Sequence, residues 1–101
     1  MSTTPERILA ALEAYNRASR DLAALYRERG DLASTEIEAK VSGYQQAISD
    51  GATVSDARHA ADLASKHYST EIAKMNGEID GYLVELRYLD QLLTHLRGQN
   101  A

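Results

Sequence analysis

The sequence predicts an all-α protein folded as a long antiparallel two-helix hairpin, coiled-coil-like in its packing. Three observations carry that expectation. Ala, Leu, Glu, Arg and Gln, all good helix formers, recur throughout the 101 residues. Apolar residues return at steps of three and four, with no alternating stretch of the kind a strand needs. One strong turn signal, Ser49-Asp50-Gly51, sits near the middle of the chain.

The first helix starts at about residue 4. Thr3 and Thr4 precede Pro5, a residue favoured in a first helical turn. Glu6 places negative charge at the positive end of the helix dipole. Two features contest a single helix to residue 50. Gly30-Asp31 reads as a stop, and Thr35 with Glu38 fits a capping box. Against them stands an apolar row whose phase passes through Gly30: Ile8, Ala11, Tyr15, Ser19, Leu22, Tyr26, Gly30, Ala33, Ile37, Val41, Tyr44, Ile48. Its period is eleven residues, which gives a nearly straight or slightly right-handed seam.

Gly51 ends the first helix, and the turn occupies residues 50–54. Thr53 or Ser55 caps the second helix, with Asp56 in its first turn. That helix spans about residues 54–97; Gly98 stops it and Gln99-Asn100-Ala101 fray. Its seam is Val54, Ala57, Ala61, Ala64, Tyr68, and then a strict heptad: Ile72, Met75, Ile79, Tyr82, Leu86, Leu89, Leu93, Leu96. Folding back at Gly51 pairs Ile48 with Ala57, Tyr44 with Ala61, Val41 with Ala64, Ile37 with Tyr68, Ala33 with Ile72 and Gly30 with Met75. The series continues with Tyr26 and Ile79, Leu22 and Tyr82, Ser19 and Leu86, Tyr15 and Leu89, Ala11 and Leu93, and Ile8 and Leu96. No layer in this register buries a charge. The whole chain reads as one helical-hairpin domain.

A hairpin buries only one stripe per helix, and small domains are marginal because their surface is large for their volume. A second apolar row marks where a partner belongs. At about 100° per residue, Ala73, Gly77, Gly81, Val84, Tyr88 and Leu92 fall on the side of the second helix opposite its heptad. An interior helical glycine costs about 1 kcal/mol relative to alanine, so Gly77 and Gly81 suit a close helix contact better than a solvated face. The first helix adds a flanking heptad row: Ala11, Ala18, Leu25, Leu32, Ala39. Self-association into a four-helix bundle is the expected outcome.

Chemistry-bearing motifs are sparse. The chain has no Cys, so thiol chemistry, disulfides and Cys-ligated zinc are excluded. Asp56, His59 and Asp62 share helical spacing, as do His67 and Glu71. Asp56-Ala57-Arg58-His59 is the nearest approach to the Glu-x-x-His pattern of di-metal bundles, and it lies off the seam. No phosphate-binding loop follows a strand, and no cofactor is implied. Arg17, Arg20, Arg27 and Arg29 form the one basic cluster, a possible nucleic-acid contact, with Glu13 and Glu28 interspersed. The formal charge of -4 argues mildly against nucleic acid or an anionic membrane as the main partner. No apolar run reaches the roughly 18 residues of a membrane span. The N-terminus lacks the basic-then-apolar pattern of a signal peptide. A cytoplasmic location is expected.

In length and hairpin form the chain resembles the small secreted WXG-type proteins of Gram-positive bacteria, but it has no Trp and lacks their Tyr-x-x-x-Asp/Glu signal after the second helix. Thr53-Val54-Ser55-Asp56-Ala57-Arg58, with Gly77-Glu78-Ile79 and Glu85-Leu86-Arg87-Tyr88-Leu89, is similar to small helical proteins of actinobacterial phages. That resemblance covers about half the chain. It implies an intracellular accessory protein made during infection and transfers no site residues. The residues together lead to the expectation of a non-enzymatic, self-associating adaptor for another protein, phage or host. The competing expectation is an accessory factor in nucleic-acid metabolism acting through the arginine cluster.

Overall fold

The structure, a computed structural model, describes residues 3–100. Two helices form the expected hairpin: α1, Thr4–Ser49, and α2, Val54–Asn100. At the head of α1, Thr3 and Glu6 cap reciprocally. The Thr3 hydroxyl accepts from the Glu6 N–H at 3.3 Å, and the Glu6 carboxylate accepts from the Thr3 N–H at 3.2 Å. α1 then continues through Gly30 without interruption. Thr35 does not start a new helix: its hydroxyl donates to the Asp31 carbonyl one turn back at 3.0 Å, a bond typical of helix interiors.

Gly51 ends α1 in the left-handed region, at φ 91°. Its N–H donates to the Ile48 carbonyl at 3.0 Å, and the Ala52 N–H to the Ala47 carbonyl at 2.9 Å. This is the Schellman arrangement, which satisfies two carbonyls that the helix end would otherwise leave bare. Thr53, rather than Ser55, caps α2, accepting from the Asp56 N–H at 3.2 Å. The far end differs from expectation. α2 runs through Gly98 to Asn100, because Gly98 does not take the positive φ by which a glycine reverses a chain. Gln99 and Asn100 are therefore helical, and Ala101 lies outside the described residues.

The molecule divides into two compact units, each containing a piece of both helices. In the unit made of residues 1–26 and 77–101, Ala11, Ala18 and Leu22 of α1 are buried, as are Ile79, Leu93 and Leu96 of α2. Ile8, Tyr15, Leu25, Tyr82, Leu86 and Leu89 are half-buried. In the unit made of residues 27–76, the buried residues are Ala57, Ala61 and Ser65, all small. The Ser65 hydroxyl is satisfied by donating to the Asp62 carbonyl at 3.2 Å. The helices approach closely at Gly43. A Cβ added there would stand 2.9 Å from the Ala64 Cβ and 3.3 Å from both the Ala60 carbonyl oxygen and the Ala61 Cα.

The register set by the turn agrees with expectation. Ser69 donates to Glu36 at 3.2 Å, three residues along each helix from the expected Ala33 and Ile72 pair. The Arg29 guanidinium donates to the Asn76 side-chain oxygen at 2.9 Å, one residue along from Gly30 and Met75.

The seam of α1 does not agree. Tyr26, Ile37, Val41 and Ile48, read as core, are exposed, Ile37 at 62%. The covered residues instead follow a heptad: Ile8, Ala11, Tyr15, Ala18, Leu22, Leu25, Arg29, Leu32, Glu36, Ala39, Gly43. Gly43 belongs to this heptad, and its backbone lies where a side chain would meet Ala60, Ala61 and Ala64 of α2, which turns the eleven-residue row outward. On α2, Ser65 is buried in place of Ala64, and Val54 is exposed. As expected, no layer of the seam buries a charge among the described residues. Arg29 and Glu36 are half-buried on it, their apolar stems covering the seam while their heads bond across to α2.

Candidate functional site

The residues expected to form an association surface lie on α2 at steps of four, four, three, four and four: Ala73, Gly77, Gly81, Val84, Tyr88, Leu92. All six are exposed, Tyr88 at 64%. Nothing lies within 4 Å of a Cβ built on Gly77 or Gly81, so that face of the backbone is open. Leu25 and Leu32 are placed differently. Both are half-buried and in phase with buried Ala11, Ala18 and Leu22, so this row, read as a flank, is the hairpin's own seam.

Part of the row that sequence reading assigned to the core is exposed instead. Ile37, Val41 and Ile48 lie on one exposed face of α1 in the unit containing the turn. The signal that could have found this is Gly43, the only glycine whose position demands close contact with the other helix. Placing Gly43 at the seam selects the heptad and turns Ile37 outward.

Arg17, Arg20 and Arg27 are exposed, whereas Arg29 is half-buried and engaged with Asn76. The basic cluster is thereby reduced. Asp56, His59 and Asp62 are exposed, and among the described residues no three His, Asp or Glu side chains come together as a metal would require.

An open depression of about 400 Å³ beside the α2 row is lined by Glu78, Gly81, Tyr82 and Glu85. The Tyr82 hydroxyl donates to an Asp21 carboxylate oxygen at 3.4 Å. The negative charge of Asp21 is the main reason the Tyr82 phenol is held above its ordinary 10.0; desolvation, the bond to Asp21 and the charges of Glu85 and Glu78 add to it. Such a site disfavours the phenolate.

No known protein family matches the sequence, and neither a curated protein nor a solved structure matches it significantly. Among the described residues no helix is long and apolar enough to cross a membrane.

Proposed function

We propose that this chain is a non-enzymatic helical interaction protein that self-associates and presents helical surface to a protein partner. One observation supports the reading above others. Among the described residues, eleven large apolar side chains are exposed: Leu9, Tyr26, Ile37, Val41, Ile48, Val54, Leu63, Leu83, Val84, Tyr88 and Leu92. The buried apolar core contains four large side chains, Leu22, Ile79, Leu93 and Leu96, and four alanines. Scattered exposed leucines are ordinary, but contiguous apolar rows on a thin core mark an interaction surface. Two hairpins joined through the α2 row make a four-helix assembly. Its role is that of a small accessory protein of the phage type it resembles, acting inside the cell.

Sedimentation equilibrium tests the reading. The parent chain forms dimers or higher oligomers at micromolar concentration. Replacing both Gly77 and Gly81 by Leu raises helix propensity yet weakens association, because the added side chains push the helices apart. A parent that is monomeric at high micromolar concentration overturns the proposal.

A further inference from the structure

We propose that Asn76 is a site of spontaneous deamidation, with the helix around Gly77 and the Arg29 guanidinium setting its rate. This goes beyond the association reading above and does not depend on it. Asn76-Gly77 is the one Asn-Gly dipeptide in the chain; the other asparagines precede Arg17 and Ala101. In such a dipeptide the glycine nitrogen attacks the asparagine side-chain carbonyl carbon, because glycine has no Cβ to crowd the five-membered ring that forms. The new bond joins the Gly77 nitrogen to Asn76 Cγ. The Cγ–Nδ2 bond breaks, and Nδ2 leaves as ammonia with the proton of the Gly77 N–H. Water then opens the imide at either carbonyl, giving aspartate or isoaspartate at position 76.

The structure favours this reaction at Asn76 and also restrains it. Asn76 and Gly77 are exposed, and nothing stands within 4 Å of a Cβ built on Gly77, so the ring and the attacking water both have room. The dipeptide nevertheless lies inside α2. There the Gly77 N–H is committed to the carbonyl one turn back, and ψ is about −42°. Ring closure needs both released, so it follows local opening of the helix. Opening is favoured here because Gly77 and Gly81 stand one turn apart, and glycine is the weakest helix former after proline. Arg29 opposes the reaction. Its guanidinium donates to Asn76 Oδ1 at 2.9 Å, which fixes the amide toward α1. The two products differ in consequence. Aspartate at position 76 offers Arg29 a carboxylate in place of an amide, a stronger charge-assisted bond. Isoaspartate routes the main chain through the side-chain carbon, which lengthens the backbone and breaks the hydrogen-bond ladder of α2.

Peptide mapping by mass spectrometry tests this on the intact chain, incubated at physiological temperature and mildly alkaline pH. Asn76 converts about tenfold or more faster than Asn16, to both products, and more slowly than in the same chain unfolded in guanidinium chloride. Gly77→Ala slows conversion about fivefold or more, since alanine both strengthens the helix and crowds the ring. Arg29→Met keeps an apolar stem on the seam but loses the bond, and it speeds conversion of Asn76 about three- to tenfold. Asn16 keeps its parental rate in that variant, which separates release of Asn76 from general unfolding. Conversion of Asn76 no faster than that of Asn16 overturns the site. A Gly77→Ala rate equal to the parent's shows that the product does not arise by this ring closure, and overturns it too. An unchanged rate in Arg29→Met, or one that rises equally at Asn16, overturns the restraint assigned to Arg29.

Discussion

Gly43 and Gly30 show how little a residue type says without its surroundings. Both sit inside α1, where glycine costs about 1 kcal/mol relative to alanine. At Gly43 an added Cβ meets the Cβ of Ala64 at 2.9 Å, and neither atom can rotate away. Gly43→Ala therefore gains propensity but overpacks the contact, at a cost of about 1–3 kcal/mol, and the net result is a lower melting temperature. Gly30→Ala meets nothing within 4 Å and is expected to stabilise by about 0.5–1 kcal/mol. Thermal melts of the pair decide it; equal effects of one sign would sink the close approach. Tyr82 offers a second check. Its phenol is held above the ordinary 10.0, chiefly by Asp21. The neutral form is thus favoured in the folded chain, and the stabilisation is present below the unfolded value and lost as pH rises past 10. Ultraviolet titration should show the Tyr82 phenol ionising later in the parent than in Asp21→Asn.

Within each helix, start and stop are written locally. The Thr3 and Glu6 capping box, the Thr53 cap and the Gly51 Schellman turn involve residues at most five apart. All need only backbone geometry and a short side chain. The buried face is not local. α1 carries two competing rows, an eleven-residue row and a heptad, and its own sequence does not choose between them. Contact with α2 chooses, most clearly at Gly43, which packs against Ala60, Ala61 and Ala64. A matched pair of truncations tests that choice. Ile79→Ala removes a buried side chain and should cost about 2–5 kcal/mol. Ile37→Ala, at an exposed position, should change stability by less than about 0.5 kcal/mol in dilute solution. Comparable losses from the two would restore the eleven-residue seam.

For the chain taken entire, burial is uneven. Among the described residues, the unit of residues 1–26 and 77–101 holds every buried large side chain, whereas the unit of residues 27–76 buries two alanines and a serine. Apolar area removed from water is what holds helices together, and alanine removes little. Amide hydrogens of residues 32–47 and 57–72 should therefore exchange faster than those of residues 11–22 and 79–93, measured by mass spectrometry. Uniform protection would show that the small-residue contact at Gly43 is as strong as the leucine seam. Association adds a further dependence: if folding and self-association are linked, the melting temperature rises with protein concentration.

The amount of helix, the position of the turn and the register across it were all legible in the chain, since propensity, caps and a left-handed glycine act over a few neighbours. The α2 row was legible too, as apolar residues and glycines opposite a heptad. Three matters needed the folded molecule. Which α1 row is buried depends on how α1 fits against α2. The half-burial of Arg29 and Glu36 depends on Asn76 and Ser69 being across from them to receive their polar heads. The need for glycine at Gly43 depends on Ala60, Ala61 and Ala64 of the other helix. Each is a property of two helices in contact, which no periodicity within one of them can express.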